Sequence, residues 1–300
     1  MSAPPEAAPL NPFERLALWV GKKGNEDPRG KWIQNRVLRG ISYVWVRPIL
    51  AHRILAEGLE DLISMVPERG VLMVSNHRSF FDLYSLLLAC YMGPVPWAKR
   101  LYFPVRSNFF YDHPLGMAVN FFAAGGSMYP PIYRQTERRQ LNDDALDTMV
   151  RFLQQQGSIV GMHPEGTRNK NPDPYTFLKA QPGVGKLALL AQPTVLPLFI
   201  HGLGNSFLDD VKSNFTSEAR KSRAVIAVFG KPVDYTDLLA EKPRPTLYKK
   251  AADRFMAAIA ALTAREKELR ADVMAGRIDG EDPRWIANRG VVGKLYAREG

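Results

Sequence analysis

Residues 71–91 read Val71-Leu-Met-Val-Ser75, then Asn76-His77-Arg78-Ser79, then Phe80-Phe81-Asp82-Leu-Tyr-Ser-Leu-Leu-Leu-Ala-Cys90-Tyr91. Five residues with an apolar start, cut off by a polar loop, are the length and composition of a buried strand. The run from Phe80 to Tyr91 is long and apolar enough for a helix, so the unit is strand, loop, helix. The same alternation continues downstream. Asp143 to Gln156 places Leu146, Met149, Val150 and Leu153 at helical spacing, and Ser158 to Met162 is a strand after the Gly157 turn. Gly185 to Ala191 is helical, Thr194 to Ile200 and Ala224 to Phe229 are strands, and Leu247 to Met274 is a long helix. Val95 to Ala98 reads as one more short strand. Strands alternating with helices predict an α/β fold: a layered, largely parallel central sheet flanked by helices.

Upstream the pattern differs. Residues 1–10 are Pro/Ala-rich and read as a disordered tail, without the basic start and apolar core of a signal peptide. Asn11-Pro12 with Glu14 predicts a capped helix start, and Gly21 to Gly24 predicts its end. Trp32 to Leu55 then mixes Trp32, Ile33, Val37, Leu38, Ile41 and Trp45 with Arg36, Arg39, Arg47 and Arg53. A basic, tryptophan-bearing amphipathic helix pair over 11–57 reads as an interfacial membrane anchor, with a pair that docks on its own domain as the competing reading. Residues 58–275 form the α/β domain, and 276–300 read as a polar C-terminal tail.

The chain has 300 residues, 46% apolar, with a formal charge of +10. That charge predicts an anionic partner: nucleic acid, a lipid surface or a phosphorylated small molecule. The basic residues are spread without a nucleic-acid reading motif, which disfavours the first. Cys90 is the sole cysteine, which excludes an internal disulfide and a cysteine metal cluster and fits a reducing, intracellular setting. The charge-free windows Pro114 to Tyr133 and Leu187 to Leu208 are interrupted by prolines, glycines and polar residues. Neither reads as a membrane span, so a peripheral or monotopic location is expected.

Two segments carry the chemistry. His77 falls in the loop after a strand, and Asp82 in the first turn of the next helix, where a carboxylate is favoured. Four intervening residues let the chain turn back, so that Asp82 accepts a hydrogen bond from one ring nitrogen and the other faces the cleft as a base. By spacing alone, a structural histidine satisfies the same pattern. The second segment, His163-Pro164-Glu165-Gly166-Thr167-Arg168, also follows a strand. Gly166 permits a tight turn, Thr167 offers a hydroxyl, and Arg168 a planar fork suited to phosphate. His77, His113, His163 and His201 read as scattered, without metal-ligand pairing.

Together the segments resemble the glycerolipid acyltransferase superfamily, which includes lysophosphatidic acid and glycerol-3-phosphate acyltransferases. Asn76 to Asp82 matches its Asn-His-x4-Asp block and Pro164 to Arg168 its Pro-Glu-Gly-Thr-Arg block. Ala98-Lys99-Arg100, Thr194 to Ile200 and Gly230-Lys231-Pro232 resemble further family segments, so the likeness runs from about residue 58 to 235. Two departures stand out. The block from Gly126 to Arg134 contains Pro130 and Pro131, which are poorly suited to the middle of a paired strand. His163 stands where an apolar or aromatic residue commonly precedes the proline.

The resemblance implies transfer of a fatty acyl group from acyl-CoA or acyl carrier protein to a hydroxyl of a lysophospholipid, 1-acylglycerol-3-phosphate first among them. It implies a role in phospholipid biosynthesis or remodelling at the cytoplasmic face of a membrane with an anionic surface. His77 would be the base and Asp82 its orienting partner. Asn76, Lys99, Arg134, Glu165, Gly166, Thr167 and Arg168 would bind or shape the acceptor pocket, with no metal and no cofactor beyond the thioester co-substrate. A non-catalytic lipid-binding protein and an acyl-thioester hydrolase are the alternatives on the same fold.

Overall fold

The computed structural model describes residues 10–91 and 95–289; the tail expected over residues 1–10 lies, but for Leu10, outside them. Eight strands are present among the described residues: β1 (Ile54–Glu57), β2 (Val71–Ser75), β3 (Arg100–Tyr102), β4 (Val105–Arg106), β5 (Pro131–Ile132), β6 (Ser158–Met162), β7 (Thr194–His201) and β8 (Val225–Phe229). Six of them form one sheet in the order β1-β8-β7-β2-β6-β3. All its pairings are parallel except β7 with β8.

Strand β2 is buried along its whole length, as expected of a central strand covered on both faces. Its side chains alternate between two cores. Val71 and Met73 join Ile159, Leu196 and Val225 on one face, against Val46, Leu50 and the helix that follows β2. Leu72 and Val74 join Val160, Val195 and Phe199 on the other. That second core is closed by α8 (Arg139–Leu153), α9 (Pro182–Ala191) and α12 (Pro245–Met274), through Phe152, Leu187 and Phe255.

The N-terminal segment departs from its sequence reading. Helix α1 (Pro12–Glu26) has the expected Asn11–Glu14 capping box, yet runs on through Gly21 and Gly24. A side chain at Gly21 would come within 3.1 Å of the Tyr111 ring, so the glycine serves close packing rather than a stop. Helix α2 (Pro28–Val37) leads through a π-helical turn at Leu38–Ser42 into α3 (Tyr43–Leu50). The chain then enters β1, a strand of the main sheet, so the boundary at 57/58 does not separate an appendage from the domain. Leu38, Val46 and Leu50 belong to the main core.

Three further differences matter. Val95 to Ala98 is a turn, and the strand begins at Arg100; Pro96 lacks the N–H that a ladder needs. Pro131 does pair, in a short parallel ladder of β4 with β5 that aligns Arg106 with Ile132. With a single partner strand, β5 is an edge that tolerates proline. Lastly, the polar tail is packed as far as Arg289. Trp285 and Ile286 are buried and Ala56 donates to the Arg284 carbonyl at 2.9 Å, covering the β1 edge.

Candidate active site

The chain leaves the sheet at the C-terminal end of β2. Asn76 is buried with both amide atoms on the backbone of Ile200: Nδ2 donates to the carbonyl at 2.9 Å and Oδ1 accepts from the N–H at 2.8 Å. It thus extends the β2–β7 pairing through a side chain and fixes the start of the loop. Its placement is that of a brace, not of a pocket residue.

Asp82 opens α5 (Asp82–Leu86). One carboxylate oxygen, Oδ2, accepts from the backbone N–H groups of Arg78 and Ser79 at 2.9 Å each and faces Nδ1 of His77 at 3.2 Å. A carboxylate can only accept here, so Nδ1 carries the proton and Nε2 is the free base. Asp82 is 2% exposed and the imidazole 21%, so the ring is the member that meets the cleft. Burial pulls His77 down to about 4, with the charges of Arg168 and Arg106 adding to it. Burial lifts Asp82 to about 6, opposed by His163 and by its backbone donors. At neutral pH the pair is therefore neutral imidazole beside carboxylate.

Two of the histidines are brought together. His163, at the end of β6, stacks on His77 with ring centroids 3.9 Å apart and planes within 5°. Its Nδ1 lies 3.2 Å from the Ser75 carbonyl and 3.1 Å from the Ser75 hydroxyl. Register explains the encounter, because β2 and β6 are adjacent parallel strands ending side by side. His77, Asp82 and His163 each bring one potential metal ligand within 4.8 Å of the others. Imidazole lone pairs lie in the ring plane, however, and parallel planes share no common point for an ion. The stack is better suited to fixing the His77 ring than to chelation.

The Pro164–Arg168 turn closes over this pair. Gly166 has φ +65°, and its N–H donates to the His163 carbonyl at 2.9 Å. Glu165 is buried and accepts from the Leu178 N–H at 3.4 Å, with the His77 backbone N–H and the Asn169 side chain close enough to favour its charged form. Burial pushes it up to about 7. The two loops are tied together by the Asn169 N–H, which donates to the His77 carbonyl at 2.7 Å. Thr167 Oγ1 accepts from Arg106 at 2.7 Å. Arg168 lies over the Phe80 ring at 4.1 Å and donates to Asn205 at 2.9 Å.

Arg106, unnoticed in the sequence, thus sits with Arg168 beside His77, and exposed Arg134 is close enough to act on its charge. Lys99 does not join them. It precedes β3 and is hydrogen-bonded to Gly157 ahead of β6, at the opposite end of the sheet from His77. There it lines a separate cavity of about 270 Å³ with Lys31, Trp32 and Arg100. The misreading has a local cause: Lys99 and Arg106 flank the same short strand, and only strand direction tells which flank faces the site.

Comparison with known proteins finds acyltransferases. Residues 53–201 match the family model described as Acyltransferase. Over 153 residues, 51% of this chain and 37% of the relative, the sequence is 29% identical to the chloroplastic 1-acyl-sn-glycerol-3-phosphate acyltransferase LPAT1 of Arabidopsis thaliana. Over 149 residues, 50% of this chain and 47% of the relative, it is 30% identical to the Homo sapiens 1-acyl-sn-glycerol-3-phosphate acyltransferase beta. The chain spans less than half the length of these curated relatives. The crystal structure of the 1-acyl-sn-glycerophosphate acyltransferase PlsC from Thermotoga maritima superposes with a TM-score of 0.44 at 19% identity, covering 84% of this chain and 82% of that one. The matched segment contains His77, Asp82 and the whole Pro164–Arg168 turn, and through it this chain belongs to the glycerolipid acyltransferase superfamily.

Proposed function

We propose that this protein transfers a fatty acyl group from acyl-CoA or acyl carrier protein to the free hydroxyl of a lysophospholipid, with 1-acylglycerol-3-phosphate as the first candidate. The observation that carries it is a His77–Asp82 pair with Arg106 and Arg168 close enough for their charges to act on His77. The base Nε2 takes the hydroxyl proton as that oxygen bonds to the thioester carbonyl carbon. The tetrahedral intermediate then breaks its C–S bond, and the departing thiolate takes the proton from the imidazolium. Asp82 stabilises that imidazolium. Direct transfer is favoured over an acyl-enzyme. Cys90 is buried, with its thiol pushed up by burial, and the Ser79 hydroxyl is engaged by the Gly204 carbonyl and the Phe81 N–H.

The arginines do two things in this scheme. They bind the acceptor phosphate, and while unoccupied they disfavour protonation of His77. A bound dianion cancels their charge, so the base should strengthen when the acceptor arrives. The first proton taken up by the free pair falls on Asp82, at about 6, so the acid limb of kcat/KM, which reports the free enzyme, is expected near pH 6, and that of kcat at a higher pH. Rate profiles between pH 4 and 8 check this; coincident limbs would remove the coupling.

Arg168→Lys and Arg106→Lys keep charge but lose the planar fork, and each should raise acceptor KM about tenfold, or ~1.4 kcal/mol, with thioester KM little changed. Lys99→Ala should leave both constants unchanged. The defining assay is labelled acyl-CoA with a panel of lysophospholipids and product identification. Free fatty acid formed without acceptor would instead indicate a hydrolase, and binding without turnover a lipid-binding protein.

A peripheral position at the cytoplasmic face of an anionic membrane belongs to the same proposal. Trp19 and Trp32 are each 58% exposed on α1 and α2, with Arg36 stacked on the Trp32 ring. Among the described residues no helix is long and apolar enough to cross a membrane.

A further inference from the structure

Helix α7 (Pro114–Ala124) is built inside out for a protein in water. Its buried positions are Gly116, Asn120 and Ala124, whereas Leu115, Val119, Phe121 and Phe122 face outward. Leu115 is 70% exposed and Phe122 57%. From His113 to Tyr133 the sequence has no Asp, Glu, Lys or Arg. A surface helix of a soluble domain carries its polar residues outward, and this one reverses that rule.

Both ends of the helix are capped by groups of the protein itself. The His113 side chain accepts from the Gly116 N–H at 3.0 Å. At the other end Ser42 Oγ and Trp45 Nε1 donate to the Phe122 carbonyl at 3.0 and 3.1 Å. The Asn120 amide bonds both the N–H and the carbonyl of Met128. Terminal carbonyls are ordinarily left to solvent, and satisfying them from within is what a hydrocarbon environment requires. Eleven residues make a helix about 16 Å long, too short to cross a hydrocarbon core of about 30 Å, so it would lie in the plane of one leaflet.

The apolar surface also leads to the site. Phe109, in the short helix just before α7, meets Phe80 edge-to-face with centroids 5.6 Å apart, and Phe80 carries Arg168 on its other contact. The cations beside that route, Arg106, Arg134 and Arg168, suit an anionic headgroup layer.

We propose that α7 is a monolayer-inserting helix. Its outer face enters the acyl boundary of an anionic leaflet, and the acceptor's chain reaches His77 along Phe109 and Phe80 without crossing water. The path rests on the lysolipid reading above; the insertion does not. A fluorophore sensitive to polarity, attached at Leu115→Cys, tests it, because Cys90 is fully buried. Val66→Cys, in the loop before β2 at the far end of the sheet and 78% exposed, is the control. With phosphatidylcholine vesicles containing phosphatidylglycerol, the label at 115 should shift to the blue and be quenched by lipids bearing an acyl-chain quencher. The label at 66 should do neither. Equal responses, none at 115, or a shift at 115 on raising protein concentration without lipid would overturn the proposal, the last by showing a self-contact.

The double variant Leu115→Asp/Phe122→Asp should fold, since both side chains are exposed. It should lose at least about tenfold in rate on a long-chain acceptor in vesicles while keeping its rate on a short-chain, soluble lysophosphatidic acid. Equal losses on both would overturn the path. A parent protein that acylates neither acceptor would sink the acyltransferase reading, while the label at 115 still decides insertion.

Discussion

His77→Ala should fold normally and lose activity by about 10²–10⁴, the usual worth of a positioned general base. The ring is the more exposed of the two, and its only direct side-chain hydrogen bond among the described residues is to Asp82. Thermal unfolding should therefore move little while kcat collapses. Asp82→Asn separates charge from shape. Because one oxygen accepts from His77, Arg78 and Ser79 together, an amide oxygen can keep all three contacts. That variant removes only the negative charge that steadies the imidazolium, and its loss should be smaller than that of His77→Ala. Near-normal turnover of His77→Ala, measured with labelled acyl-CoA and a soluble acceptor, would end the assignment of His77 as base.

Deletion of residues 1–56 should leave no folded protein. The segment contributes Leu38, Val46, Leu50, Ile54 and Leu55 to the interior, each at most 1% exposed. Burying such side chains stabilises by about 1.5–3 kcal/mol apiece. Together that is on the order of the whole stability of a domain, about 5–15 kcal/mol. The deletion also strips the β8 edge of its partner β1. Absence of a cooperative unfolding transition is the expected readout, and a soluble, cooperatively folding truncation would contradict the integration described above. Membrane contact by this segment has to be tested by milder changes. Trp19→Ala and Trp32→Ala touch exposed faces, so they should leave thermal stability nearly unchanged while weakening vesicle binding.

Much of the site was legible because its signals are local. A strand bounded by a polar loop is defined by neighbours in sequence, and β2 and β6 fall where Val71 to Ser75 and Ser158 to Met162 read as strands. The His77–Asp82 contact spans four intervening residues, a distance that one loop and one helical turn settle. Gly166 likewise takes the left-handed conformation, φ +65°, that a glycine in a tight turn allows.

What was misread depends on which end of which strand meets which. Lys99 and Arg106 flank one short stretch of chain, and only the parallel register of β3 with β6 turns the first away from the site and the second into it. Asn76 looks like a pocket residue until β7 arrives and takes both its amide atoms. The His77–His163 stack joins residues 86 positions apart and exists because two strands end side by side. Gly21 and Gly24 favour a helix stop by about 1 kcal/mol each, yet the helix runs on, and Gly21 sits where a side chain would press on Tyr111. The sequence by itself thus determined the α/β alternation, the His77–Asp82 pair and the Pro164–Arg168 turn, since each is written in near neighbours. Tertiary structure alone decided the arginine cluster, the second histidine, the N-terminal helices as part of the core and the outward apolar face of α7, because each depends on contacts between segments far apart in the chain.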